Sequence, residues 1–396
     1  MVYLDNAATT PIHPEVLNAM LPYLKEEYGN AGTMYGLGRR AANAVAEARQ
    51  RVAKLIGCEP RQIIFTSGGS EANNLVFSGL RPYLLKNGKT HIITSAVEHD
   101  SVLKAVKSVC NPLCCNTQNV IKSDFGATFL GVNRDCEVSV QELTDSITEQ
   151  TGLVSVMYVN NETGATNPIR EIGEVCRQNG VLFHTDCVQA IGFYDIDVRE
   201  LRCDFMSISS HKINAPKGVG ALFVRDVSIL SPMIHGGAEQ EFGYRGGTEN
   251  VAGIVGFGMA CEILQRNLAS NRKHAEALRV MFEMKLVESL KEYGLQHILH
   301  INSPRCNNKI LNVRFDSVDG QTLLLMLDAH NICVSAGSAC RSHEAEPSHV
   351  LLAMGLGEDE ARDSIRVSFS HIGTPSDVVH AAETTARCVA ALRGGV

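Results

Sequence analysis

VLFHTDCVQAIGFYDIDVRELRCDFMSISSHK, residues 181–212, holds two short apolar runs, VLFHT (181–185) and FMSIS (205–209), each closed by polar residues. Runs this short, bounded by polar punctuation, read as strands buried on both faces; a helix needs ten or more residues to cover a core. The first run leads to Asp186, with Gln189 three residues on, and the second to Ser209-Ser210-His211-Lys212. A carboxylate or an ammonium leaving a buried strand needs a partner, because an unpaired charge away from water is costly.

The same grammar extends along the chain. IIFTS (63–67), HIITS (91–95), LVSVMYV (153–159) and GALFV (220–224) are further strand candidates. Between them, residues 40–56 place Val45, Ala48, Val52 and Leu55 at helical spacing with Gly57 as a stop, and helices are expected from Glu71 and near 100–109. Strands alternating with helices predict an α/β fold, a mostly parallel sheet covered by helices on both faces. Ligands of such sheets sit beyond the carboxyl ends of the strands. Ser67–Ser70, Glu98-His99, Asn160-Asn161, Asp186–Gln189 and Ser209–Lys212 each follow one of these runs, so one convergent site is expected. After residue 255 the pattern changes to long helices, then NKILNVRF (308–315) and an apolar helix at 320–329. We expect a large domain over 14–255 and a smaller α+β domain built from 1–13 with 256–396.

Composition narrows the function. The chain has 396 residues, 44% hydrophobic and 20% charged, and a formal net charge of −7, which argues against a protein that coats nucleic acid. No apolar stretch approaches a bilayer span and the first residues carry no signal-peptide pattern, so a soluble, cytoplasmic protein is expected. Thirteen cysteines in irregular spacing make no disulfide framework and suit a reducing compartment. Cys110, Cys114 and Cys115 lack paired C-x-x-C spacing, so no metal site is expected there.

Several motifs carry chemistry. Ser67-Gly68-Gly69-Ser70-Glu71 turns a strand into a helix and offers glycine backbone and helix N–H groups to a phosphate, without the Walker lysine pattern; it also reads as a plain turn. Asp186 reads either as a helix cap or as the counter-ion of a protonated pyridine nitrogen. Lys212 reads equally as a Schiff-base lysine or as a surface lysine before the loop NAPKG. In Ser335-Ala336-Gly337-Ser338-Ala339-Cys340-Arg341-Ser342, small residues surround one cysteine whose thiolate Arg341 or His343 could favour. An exposed thiol is costly to keep, which favours function.

Together, in this order, the motifs resemble the cysteine desulfurases, within the fold-type I pyridoxal-phosphate enzymes of the class-V aminotransferase type. The resemblance spans nearly the whole chain: YLDNAATTP (3–11), FTSGGSEANN (65–74), VNNETG (159–164), HTDCVQA (184–190), SSHK (209–212), APKGVGAL (215–222), HGGAEQEFGYRGGTENVAGIVG (235–256), SAGSACRS (335–342), EPSHVLLAMG (346–355) and SIRVSFS (364–370). It implies pyridoxal 5'-phosphate bound to Lys212, Asp186 at the pyridine nitrogen, Gln189 at the ring oxygen and His99 on the ring, where it helps move protons. It further implies Gly69, Ser70, Ser209 and His211 at the phosphate, Asn161 over the cofactor near the substrate, and Arg366 at the substrate carboxylate. Thr248 would reach the neighbouring subunit's phosphate in a homodimer. Cys340 would be the nucleophile, on a loop of the long, flexible type.

The implied reaction takes L-cysteine to L-alanine, leaves the sulfur as a persulfide on Cys340 and passes it to an acceptor protein. Departures from the family pattern are Arg341 for Ser or Thr, Ser70 for Thr, GNAGTMYGLG (29–38) for GNPSS-x-H-x-x-G, Asn214-Ala215 for a glycine-containing pair, and Gly246 for Ser; none removes a catalytic group. RCVAALRGGV lacks the extension with which housekeeping members dock the iron–sulfur scaffold. A specialised route such as nitrogenase maturation or DNA phosphorothioation is therefore expected beside cluster assembly. The rival readings are a selenocysteine lyase and a non-catalytic sulfur carrier or scaffold on the same fold.

Overall fold

The computed structural model describes residues 1–110, 125–302, 309–336 and 346–394. Its strands are β1 (Val2–Tyr3), β2 (Ile63–Thr66), β3 (His91–Ser95), β4 (Gly126–Leu130), β5 (Thr151–Ser155), β6 (Leu182–Asp186), β7 (Phe205–Ser209), β8 (Gly220–Val224), β9 (Leu299–Ile301), β10 (Ile310–Phe315), β11 (Ile332–Cys333) and β12 (Ser364–Ser368). Seven form one sheet in the order β2-β8-β7-β6-β5-β3-β4. β4, β3, β5, β6 and β7 pair in parallel, and β8 runs against both its neighbours. β7 is buried at all five positions, as an apolar run in mid-sheet must be.

Neighbouring residues along these strands go to opposite faces. Ile93, Val154, Phe183 and Met206 enter one hydrophobic core, with helices Gly36–Ile56 and Ile169–Gln178. Ile92, Leu153 and Phe205 enter the other, with helices Gly69–Lys86 and Asp100–Cys110. Gly57 ends its helix at φ 73, ψ 36, the left-handed stop that glycine adopts without penalty.

Two strands of the large sheet depart from the sequence reading. LVSVMYV yields only Thr151–Ser155, because the apolar run continues as buried chain leading toward Asn160. β4, GATFL, was not read at all; it is half-exposed and carries a weak apolar signal.

β12, β10 and β9 form an antiparallel sheet with its own core. β1 pairs with β11, and Leu4 is buried in that core, so the first residues pack with the C-terminal segment. The 42-residue helix Val251–Glu292 serves both units. Its Ile254, Phe257 and Leu264 bury against the large sheet, while Ala275, Leu278 and Phe282 bury in the second core.

Candidate active site

A cavity of about 210 Å³ opens at the carboxyl ends of the parallel strands. Of the residues singled out from the sequence, Gly69, Ser70, His99, Asn161, Asp186, Gln189, Ser209, His211, Lys212 and Arg366 all line it. Thr248 does not: it is exposed and lines a separate cavity of about 120 Å³ with Ser67 and Arg245. Cys340, Arg341, His343, Cys114 and Cys115 lie outside the described residues.

The turn after β2 is built on glycine. Gly68 has φ 154, a conformation that favours glycine, and a Cβ on Gly69 would lie 2.6 Å from the Val188 side chain. The helix Gly69–Lys86 therefore starts flush against the chain that follows β6, with its first N–H groups lacking intrahelical acceptors. Glu71 ties the turn to the Thr248 loop: it accepts from Ser67 N–H at 2.8 Å and pairs with Arg245 at 2.8 Å.

Asp186 is 4% exposed and its two oxygens do different work. Oδ1 accepts from Val188 N–H at 2.9 Å, closing a turn where the sequence reading allowed a helix cap, since no helix follows, and Oδ2 accepts from Asn73 Nδ2 at 2.8 Å. Gln189 Nε2 donates to Ala7 O at 2.8 Å. Lys212 Nζ donates to Ala7 O at 2.6 Å and Ala8 O at 2.8 Å, so the N-terminal segment holds the lysine. His211 Nδ1 lies 3.1 Å from Thr9 Oγ1; burial, then Lys212 and Lys217, push its pKa down to about 4, leaving the ring neutral near pH 7. His99 Nδ1 accepts from Ser101 N–H at 3.1 Å, which leaves the proton of the neutral ring on Nε2.

Arg366, on β12, is 1% exposed. It donates to Asn161 O at 2.9 Å, to Asp5 Oδ1 at 2.7 Å and to Ser335 Oγ at 3.0 Å. Its Nε has no acceptor among the described residues, and three bonds use three of the guanidinium's five N–H groups, so the fork keeps donors for a substrate.

Sequence reasoning missed Ala7, Ala8, Asn73 and Ser101, which also line the cavity. Asn73 had a usable signal: three residues past Ser70 on the same helix, it faces the same side. The Ala7 and Ala8 carbonyls had none, because backbone acceptors leave no mark on residue type.

One group behind the cavity was read only as part of a polar cluster. Glu98 is fully buried, and burial, with Asp186 nearby, raises its pKa to about 8 against the lowering effect of hydrogen bonds from Ser95 and Met157 N–H. Unfolded, the carboxyl loses its proton near 4.5; folded, it keeps it to about 8. Between these values the folded state holds the extra proton, so this group lowers stability as pH rises. Glu98→Gln should flatten the decline in Tm between pH 5 and 8; equal slopes in variant and wild type would show that Glu98 is ionised in the fold.

The sequence pattern of the aminotransferase class-V family matches residues 2–380. Cysteine desulfurase IscS of Clostridium botulinum (strain Hall) is 40% identical over 388 residues, covering 98% of this chain and 94% of that protein. The chain belongs to the cysteine desulfurase family of class-V aminotransferases. Among solved structures, a NifS-like protein superposes with a TM-score of 0.85 at 33% identity, covering 98% of each chain. SspA in complex with cysteine gives a TM-score of 0.78 at 35% identity, covering 93% of this chain and 99% of that one. Enzymes of this family are pyridoxal-phosphate-dependent, and the cavity of this desulfurase relative fits that group. It offers an amine, a buried carboxylate and a helix N-terminus. It also offers two buried amide oxygens, Asn73 Oδ1 and Gln189 Oε1, with no donor among the described residues.

Proposed function

We propose that this protein desulfurates L-cysteine to L-alanine, that Lys212 carries the cofactor and moves the Cα proton, and that Cys340 receives the sulfur. The observation that carries this reading is the meeting of the Lys212 amine, the Asp186 carboxylate and the buried Arg366 guanidinium at one cavity. Pyridoxal phosphate, when bound, supplies the electron sink that lets a Cα proton leave. Asp186 would hold its pyridine nitrogen and Gln189 its ring oxygen. Gly69, Ser70, Ser209 and His211 would hold its phosphate, and His99 and Asn161 would complete the ring's surroundings.

The chain's own groups do the rest. With His211 neutral, no imidazolium opposes the charge on Lys212. Arg366 orients the substrate through its carboxylate. The Cys340 thiolate bonds to the substrate sulfur as that sulfur's bond to Cβ breaks. The electron pair stays with carbon, a proton completes the methyl group of alanine, and the enzyme keeps a persulfide for an acceptor protein.

Support for the Cys340 role comes from the other thiols. No cysteine among the described residues lines the cavity. Burial pushes the thiols of Cys58, Cys176 and Cys203 up to about 12, far from a thiolate at neutral pH. We place the reaction in a reducing compartment, the cytoplasm, where such a thiol stays available; no described helix is long and apolar enough to cross a membrane. We further propose a homodimer in which Thr248 reaches the other subunit's phosphate. Its position apart from its own chain's cavity supports that role.

The direct test is alanine and sulfide release from L-cysteine by the holoenzyme, with selenocysteine run in parallel. Turnover of selenocysteine alone would make the protein a lyase; turnover of neither would make it a carrier. Arg366→Lys should raise KM for L-cysteine about 10- to 100-fold, the worth of one or two charged hydrogen bonds, because an ammonium cannot replace a bidentate fork. An unchanged KM would place the carboxylate elsewhere.

A further inference from the structure

Behind the active site lies a second cavity, of about 110 Å³, and Lys212 lines both. One water needs only about 10–15 Å³ of such space, so the cavity has room for a small ion with waters beside it. Its lining is part apolar, with Phe193, Ile213 and Leu264, and its polar part is basic: Lys309, His13 and His371 contribute, and no carboxylate does among the described residues.

Lys309 is the unusual member. It immediately precedes β10, its carbonyl accepts from Phe369 N–H at 2.8 Å, and it is 6% exposed. Its ammonium has no hydrogen bond or ion pair among the described residues. A buried lysine normally finds a carboxylate or a carbonyl, since leaving it bare costs the full price of desolvation. Apart from Lys212, the other basic groups are imidazoles: His13 and His371 share the cavity, and burial, then His13, His274 and Lys309, hold His371 toward its neutral form, while His274 Nε2 lies 2.9 Å from Gly373 O. Burial alone lowers the Lys309 pKa to about 8, so near neutral pH the ammonium still carries most of its charge. A cation and several hydrogen-bond donors, with no acid among the described lining residues, describe the complement of an anion.

We propose that this cavity binds a small oxyanion, an inorganic sulfate or phosphate or an amino-acid carboxylate, held by Lys309 with His371, His13 and Asn271. Apart from Lys212, which lines both cavities, the site's residues lie outside the machinery assigned to desulfuration, and the proposal stands whether or not that assignment does. The ligand is the counter-ion that the described residues do not supply.

The test uses the holoenzyme, whose phosphate site is filled by the cofactor, at constant ionic strength. Sulfate, phosphate and L-alanine each replace chloride in a thermal-unfolding titration of wild type, Lys309→Met and Lys309→Arg. Tm of the wild type should rise by a few degrees and saturate with at least one of the three. Lys309→Met should lose that rise and, freed of a bare charge, should start from a higher Tm without anion; Lys309→Arg should keep part of the response. A response to sulfate or phosphate assigns the site to an inorganic ion, and one to L-alanine that Lys309→Met abolishes assigns it to a carboxylate. Equal responses in wild type and Lys309→Met would place the anion elsewhere, such as at Arg366, and overturn the proposal. So would no response in the wild type. Should Lys309→Met fail to fold, crystals of the wild type grown with selenate decide: an anomalous peak within hydrogen-bond reach of Lys309 Nζ supports the site, and its absence refutes it.

Discussion

Lys212→Ala is expected to lower the rate of alanine formation from L-cysteine by about 10²- to 10⁴-fold, the range for loss of a positioned general acid–base. The reasons are geometric. The lysine follows β7, a strand buried throughout, and its amine is held by the carbonyls of Ala7 and Ala8 at 2.6 and 2.8 Å. The imidazoles nearby cannot readily take its place. His211, depressed to about 4, is a weak base, and His99 already spends Nδ1 on the Ser101 N–H. Lys212→Arg should not rescue, because a guanidinium does not give up its proton near neutral pH. The variant should still fold, since the described hydrogen bonds it loses go to two backbone carbonyls, each worth about 1 kcal/mol net, somewhat more for a charged donor. Steady-state alanine release and a melting curve on the same sample separate chemistry from stability. Activity within tenfold of wild type would remove Lys212 from the reaction.

The place of Lys212 was legible in the sequence because strands and site residues use different alphabets. FMSIS is all apolar or small, and SSHK is all polar, so the strand's end and the site's start are marked on the same line of text. VLFHT before Asp186 follows the pattern less strictly, since it includes His184 and the strand runs on to Asp186 itself. Where the alphabets blur, the reading failed. LVSVMYV stays apolar beyond the strand because the chain leading to Asn160 and Asn161 is itself buried. GATFL on β4 alternates weakly at a half-exposed edge. Arg366 shows a third kind of limit. Its place at the cavity came through the family resemblance. Its partner Asp5 lies 361 positions away, and the pairing arises only because the first residues pack with β12. Long-range polar pairing leaves no periodic trace. Neither does a lysine such as Lys309, which in NKILNVRF looks like the polar edge of a strand and proves to be buried.

Cys340→Ala is expected to bring sulfide and alanine release close to background while leaving the bound cofactor's absorbance unchanged. The chain on either side is tied to the active site. Ser335 pairs with Arg366 through backbone bonds of 3.1 and 2.7 Å and through its hydroxyl, and His349 Nε2 lies 3.0 Å from Glu98 O. Cys340 is five residues past the first anchor, so extended chain of roughly 3.3–3.6 Å per residue limits its reach to about 17 Å from Ser335. No described cysteine competes. Cys187, next to Asp186, is fully buried, and burial pushes its thiol well above the ordinary range. Cys187→Ala therefore serves as the control and should retain turnover, at the cost of a small cavity in the core. If thiolate attack on the substrate sulfur is the step that breaks the C–S bond, losing Cys340 must stop alanine as well as sulfide, because no other described thiol can take the sulfur. If the C–S bond breaks first and the thiol merely collects the product, alanine formation survives the substitution and only the persulfide disappears. Alanine measured in Cys340→Ala thus separates a nucleophile from a carrier, and the absence of any described thiol from the cavity makes the nucleophile the expected result.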